Sequence, residues 1–95
     1  MALTVKFIGA LRHVTGKTQL NIECTEIFAV KDLILKIIQE TPQLKTSLIN
    51  QQSDGTMKTK ALILVNDREI SVLNGLDTKL DDGDEIVFVP VIHGG

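Results

Sequence analysis

Cysteine, aromatic residues and long hydrophobic runs are all scarce in this sequence. The single cysteine, Cys24, cannot close an internal disulfide, and the first residues lack the basic start and apolar run of a secretion signal. The longest apolar stretch covers only residues 86–92, whereas a helix needs about 20 residues to cross a bilayer. We therefore expect a cytoplasmic protein in a reducing compartment, with no membrane-spanning segment.

Positive charge is not in excess. Lysine and arginine together number 10 against 12 aspartates and glutamates, which gives a net charge of -2 and an isoelectric point near 5.6. Such a chain has no basic stripe to neutralise phosphates, and its 3 phenylalanines are too few to form a surface for stacking bases. Direct binding to nucleic acid is not expected.

Residues that bind metals or act as nucleophiles are also few. His13, His93 and Cys24 do not form a known metal-binding spacing, and no base is identifiable for Cys24. The segment 16–18, Gly-Lys-Thr, is similar to the end of a phosphate-binding loop, but that motif requires a glycine at the position of Leu11 and a helix after the threonine. We predict that the chain itself binds no metal and no cofactor.

The residues that are present fit one globular domain over positions 1–95. Hydrophobic residues make up 43% of the chain and charged residues 23%, which is typical of a folded protein. No repeat, low-complexity tract or linker divides the sequence.

The first half of the chain changes its hydrophobic period once. Residues 3–8 and 19–23 alternate between apolar and polar side chains, which predicts two strands of an antiparallel hairpin joined by a loop. A helical stripe follows, made of Val30, Leu33, Ile34, Ile37 and Ile38. Pro42 disfavours helical geometry at the residue before it and predicts the end of this helix.

The second half predicts shorter elements. They are a short helix around 44–49, a turn at 53–55, a strand at 61–65 buried on both faces, a turn at 66–67, a short strand at 69–72, a turn at 81–84 and a strand at 85–92. The pattern predicts an α+β fold with one main helix packed on one face of a mixed sheet. A ferredoxin-like or split arrangement of the same elements remains open at this point.

Specific motifs lie in the second half of the chain. Residues 64–67 read Leu-Val-Asn-Asp, residues 76–86 contain a leucine followed by Asp-Gly-Asp-Glu, and the chain ends in Gly94-Gly95 after Pro90. These motifs, with their order and spacing, resemble the MoaD/ThiS family of sulfur carriers. Leu-Arg at 11–12 is also similar to the first loop of that family, so the resemblance covers nearly the whole chain. It implies a ubiquitin-like β-grasp fold, with the first and last strands parallel at the middle of the sheet.

The last residues are equally similar to the ubiquitin-related modifier family, whose members often end in His-Gly-Gly. The resemblance implies that the carboxylate of Gly95 is the reacting group. A partner adenylating enzyme similar to MoeB and ThiF would activate it with ATP, and a sulfur donor would then convert it to a thiocarboxylate. Glycines at 94 and 95 lack a Cβ and can enter a narrow site, so we expect residues 92–95 to form a flexible functional tail. The chain is then a carrier and not an enzyme.

Several positions outside the reacting pair are candidates for partner contact. Val87, Val89 and Val91 would share one face of the last strand, either as an apolar docking patch or as a face covered within the protein. His93 precedes the reacting pair and either contacts the activating enzyme or is solvated. Arg12 either meets a partner carboxylate or is a solvated loop residue.

The favoured hypothesis is a MoaD-like sulfur carrier, resembling the small subunit of molybdopterin synthase. Its further partner would be the large subunit of a synthase or another sulfur acceptor, in molybdopterin synthesis, thiamine thiazole synthesis or tRNA thiolation. A second hypothesis is a protein modifier joined through Gly95 to target lysines. A third is a β-grasp interaction domain whose tail is inert.

Overall fold

The computed structural model describes residues 1–25, 28–51 and 57–91. In chain order its elements are β1 (Ala2–Phe7), α1 (Leu11–Thr15), β2 (Gln19–Glu23), α2 (Val30–Glu40), a 3-10 turn (Pro42–Leu44), α3 (Lys45–Leu48), β3 (Ile49–Gln51), β4 (Met57–Thr59), β5 (Ala61–Val65), β6 (Arg68–Glu69), two further 3-10 turns (Ile70–Val72 and Gly75–Asp77) and β7 (Glu85–Pro90). The turn predicted at 53–55 lies outside the described residues.

The main sheet is mixed and has five strands in the order β2-β1-β7-β5-β6. The first strand pairs antiparallel with β2 and parallel with the last strand, while β5 pairs antiparallel with both β7 and β6. Strands β3 and β4 form a separate small ladder. The β-grasp topology is therefore confirmed, and the ferredoxin-like alternative does not apply.

The core lies between this sheet and α2. Alternate residues of β1 are buried at Leu3, Val5 and Phe7, and alternate residues of β7 are buried at Ile86 and Phe88. The stripe of α2 predicted from its period packs against them, with Val30, Leu33, Ile34 and Ile37 buried. Each such side chain contributes roughly 1.5–3 kcal/mol by leaving water, so the two periods in the sequence determine which faces meet.

The α2 helix begins with half of a capping box. The backbone N–H of Ala29 donates to Asp32 Oδ2 at 3.1 Å, and Ala29 has the extended backbone of an N-cap residue. The methyl side chain of Ala29 has no oxygen to accept the return bond from the helix. As predicted, the helix ends just before Pro42, with Thr41 N–H donating to Ile37 O at 2.8 Å.

The start of α2 is tied to the segment before β7 by a surface ion pair. Lys31 Nζ lies 2.8 Å from Asp77 Oδ1. The hydrogen bond from Lys31 to Asp77, and then the negative charge of that carboxylate, raise the pKa of Lys31 above its ordinary value. Both side chains are exposed, so the pair orients the two segments more than it stabilises the fold.

The loop predicted between β1 and β2 contains a short helix instead. The α1 helix runs over Leu11–Thr15 and buries Leu11, and Gly16 closes it in a left-handed conformation. Five residues are too few to show a helical period in the sequence, so the hydrophobic pattern did not indicate this helix.

The prediction of a strand buried on both faces at 61–65 was wrong. Ala61, Ile63 and Val65 face the core, but Leu62 is 41% exposed and Leu64 is half-buried. The predicted strand at 69–72 was wrong in part, because β6 ends at Glu69, whose side chain accepts from the amide of Ser71 and starts a 3-10 turn. A continuous apolar run in the sequence does not show which face of a strand is covered by another layer of the protein.

Candidate functional site

The end of the chain leaves the sheet from its central strand. Parallel pairing places Phe7 beside Phe88, whose rings stack with centroids 5.9 Å apart. Strand β7 ends at Pro90, and Val91 follows beyond the end of the strand. His93, Gly94 and Gly95, the predicted tail residues, lie outside the described residues, as does Ile92. The described chain therefore reaches one end of the sheet at Pro90 and Val91, just before these four residues in the sequence.

The first loop is fastened to the strands beside the point where the tail begins. Ile8 N–H donates to Phe88 O at 3.1 Å, which extends the β1 ladder by one bond along β7. Arg12 Nε donates to Phe7 O at 3.0 Å, so this arginine, predicted to contact a partner, holds the loop to the end of β1. Arg12 is exposed, so the other N–H groups of its guanidinium are at the surface. Partner contact by Arg12 stays a prediction.

The surface of the sheet opposite α2 carries a group of apolar side chains. Val87 and Val89 of β7 pair directly across the ladder with Leu64 and Leu62 of β5. Side chains at directly opposed positions lie about 4.5–5.5 Å apart, so the four form one contiguous patch, named here the outer face. Leu62 is 41% exposed and the other three are half-buried, so the outer face is partly covered and partly accessible, and docking through it stays a prediction.

The third predicted docking valine, Val91, lies beyond the end of the strand and is 44% exposed. It lines a groove together with residues of α1 and the α3 segment. The structure therefore brings Val87 and Val89 together on the outer face but does not place Val91 there. Sequence reasoning missed Leu62 and Leu64: their spacing of two residues puts them on one face of β5, but only the structure shows that this strand lies beside β7.

Polar groups border the outer face. Lys6, whose neighbour across the ladder is Val87, forms an ion pair with Glu85 at 3.1 Å, with both side chains about 40% exposed. Beyond Glu85, Asn66 Nδ2 donates to Asp84 Oδ1 at 2.8 Å and Glu85 N–H donates to Asn66 Oδ1 at 3.0 Å. An apolar centre with a charged border is the usual composition of a protein-binding surface.

The acidic turn before β7 has a structural role. Asp84 Oδ2 accepts from the backbone N–H of Asp81 at 2.7 Å, and Asp82 Oδ1 accepts from that of Ala2 at 2.6 Å. These bonds fix the start of β7 against β1. Over the described parts of the chain, no group of three or more His, Cys, Asp or Glu side chains could hold a metal ion.

A groove of about 310 Å³ lies next to the start of the tail. Its walls come from α1, the loop before it, the α3 segment and the end of β7. Lys60 lines it, with its ammonium donating to Thr46 O at 2.8 Å.

Within the described residues, no helix is both long enough and apolar enough to span a membrane.

Comparison with known proteins gives a match over almost the entire chain. The family model described as Urm1 (Ubiquitin related modifier) matches residues 2–95. Ubiquitin-related modifier 1 of Schizosaccharomyces pombe is 30% identical over 101 residues, covering 100% of both chains. The match includes the terminal residues that the structure does not describe.

Solved structures agree with this match. The small archaeal modifier protein 1 of Methanosarcina acetivorans superposes with a TM-score of 0.83 and 28% identity, covering 99% of this chain and 96% of that one. In a complex of subunits 1 and 2 of the molybdopterin-converting factor from Helicobacter pylori, the matching chain has a TM-score of 0.61 and 26% identity, with 100% of both chains covered.

Proposed function

This chain belongs to the ubiquitin-related modifier family, and from that premise we propose that it is a sulfur carrier whose reacting group is the terminal carboxylate of Gly95. The observation that carries the proposal is the position of the chain end. The last four residues follow the central strand in the sequence and end in two glycines, and that strand carries a partly exposed apolar face. A partner enzyme can bind the rigid face while the terminus enters its active site.

The proposed chemistry takes place in two transfers. A carboxylate oxygen of Gly95 attacks the α-phosphorus of ATP, and pyrophosphate leaves, which gives an acyl-adenylate. A sulfur nucleophile at the oxidation level of hydrosulfide then attacks the acyl carbon. AMP departs with the electrons of the broken C–O bond, and loss of a proton leaves a thiocarboxylate. ATP is bound by the activating enzyme, and no residue of this chain is assigned to it.

The outer face is the proposed docking surface for the adenylating enzyme. It places Val87, Val89, Leu62 and Leu64 on one side of the strand that leads to the tail. The molybdopterin-converting factor of Helicobacter pylori, whose subunits 1 and 2 form a complex, supports a partner subunit for this chain as well. A synthase subunit or another sulfur acceptor would bind after loading, in cofactor biosynthesis of the MoaD type or in tRNA thiolation.

A second function is favoured by a specific observation. The matched family model and its Schizosaccharomyces pombe relative are both described as modifiers, so attachment of Gly95 to lysines of target proteins is the alternative use of the same acyl-adenylate. Both functions need the first transfer, and they differ only in the nucleophile that attacks the acyl carbon.

Exchange of labelled pyrophosphate into ATP tests the shared step. The measurement uses an adenylating enzyme from the same cell, with the full chain and with a chain that lacks Gly95. Exchange is expected with the full chain only. The deletion should leave the melting temperature unchanged, because the buried core of the described residues lies between positions 3 and 88. Equal exchange by both chains would contradict Gly95 as the reacting residue.

A further inference from the structure

The first loop and the last strand meet where the tail begins, at Gly9 and Pro90. A Cβ built on Gly9 would lie 3.3 Å from Pro90 Cγ and 3.8 Å from Pro90 Cδ. The first distance is tighter than an ordinary carbon contact, so any side chain at position 9 must displace the proline ring or the loop. Glycine also suits this position because its φ is +59°.

Neither partner in this contact moves freely. The loop is held to the strands by the bond from Ile8 to Phe88 and by the bond from Arg12 to Phe7. Pro90 is the last residue of β7, pairs with Ala61 across the ladder, and has its φ fixed by the ring. A push on the ring is therefore passed to Val91, the first residue beyond the strand.

The geometry points to Gly9 as a positioning residue: its bare backbone seats the Pro90 ring, and this contact sets the direction in which the chain leaves β7 towards Gly95. The role in catalysis rests on the proposed function. Gly95 is five residues beyond Pro90 in the sequence, so an enzyme docked on the outer face receives the chain from the direction that Val91 takes.

Gly16 provides a matched control. It too has a positive φ, +71°, and a Cβ built there would meet nothing within 4 Å. Gly9→Ala and Gly16→Ala therefore introduce the same kind of backbone strain within the same loop region, but only the first contacts Pro90. Both variants should lose thermal stability from this strain, and Gly9→Ala should lose somewhat more because its Cβ also meets the Pro90 ring.

The direction of the chain is measured first, in the free protein, from residual dipolar couplings of the Val91 N–H. We expect Gly9→Ala to change these couplings and Gly16→Ala to leave them unchanged. In a Pro90→Ala background, adding Gly9→Ala should change them no further, because the ring that it displaces is gone. Unchanged couplings in Gly9→Ala, or an equal change in Gly16→Ala, would overturn the inference whether or not the protein is adenylated.

Pyrophosphate exchange against carrier concentration then tests the effect on the reaction. Gly9→Ala should lower kcat about fivefold or more, since small errors in the position of a reacting group are costly, with KM within about twofold because the outer face is intact. Gly16→Ala should match the unaltered chain. If the unaltered chain supports no exchange, the proposed function fails while the couplings still decide the inference. If it does and Gly9→Ala has the same kcat, the positioning role is wrong.

Discussion

Two residues other than glycine, Asn66 and Asp67, have a positive φ among the described residues. Asn66 and Asp67 form the two-residue turn between β5 and β6, with φ values of 49° and 70°. Those angles match the type I′ turn whose twist suits a hairpin. The sequence indicated a turn here because Asn and Asp tolerate this region better than most residues. It could not show that both residues have positive φ, which depends on the pairing of the strands around them.

Replacing Asp67 by glycine should stabilise the protein. Glycine removes left-handed strain of at most about 1–2 kcal/mol and adds about 0.5–1 kcal/mol of entropy to the unfolded chain, which leaves a gain of up to about 1 kcal/mol. Asp67→Ala keeps the Cβ and is the control that should show no gain. Urea unfolding of both variants measures the difference, and a destabilised Asp67→Gly chain would disprove the assignment of strain.

Helices and strands were predictable wherever hydrophobic residues recurred with one helical or strand period over enough residues. Residues 30–38 gave α2 because its buried stripe repeats through 3.6-residue turns, and 3–7 gave β1 because alternate residues face the core. The exposure of Leu62 was not predictable, because the sequence of β5 does not say that the outer face lacks a second layer. The outer face is thus predicted in part. The sequence indicated its valines in β7 but did not indicate its leucines in the neighbouring strand.

Completing the capping box of α2 should stabilise the protein. Ala29→Ser supplies the oxygen that is missing from the capping box, and it should raise the free energy of unfolding by about 1 kcal/mol. Ala10→Ser is the matched control, because Ala10 precedes α1 with a helical backbone and no cap geometry. Thermal unfolding compares the two, and equal gains would show that the effect is not capping.

Charge on the outer face should weaken docking without unfolding the protein. Val87→Asp and Val89→Asp are each expected to raise the KM for the carrier in pyrophosphate exchange by about tenfold, the usual cost of losing an apolar anchor at an interface. Leu35→Asp is the control, since Leu35 is 54% exposed on α2, on the other side of the sheet. Circular dichroism confirms folding in each variant, and an unaltered KM in both valine variants would remove the outer face from the docking proposal.

At the scale of the whole molecule, the fold places the proposed docking surface on the strand that precedes the proposed reactive end. The parallel pair of β1 and β7 puts the C-terminal strand in the middle of the sheet, where both neighbours hold it. The topology was predictable only through the resemblance to known carriers, because periodicity alone allowed other arrangements of the same elements. The choice between sulfur transfer and protein modification depends on the surfaces of partners and cannot be predicted from this chain.

Sulfur loading at Gly95 is measured by the intact mass of the chain purified from its own cells. We expect a species heavier by the difference between one sulfur and one oxygen atom, with fragmentation placing the change at Gly95. Covalent adducts joined through Gly95 to lysines of other proteins would instead establish the modifier function. A chain found only with its unmodified mass, with no adducts and no exchange of pyrophosphate by its adenylating enzyme, would contradict a role for Gly95 as the reacting residue.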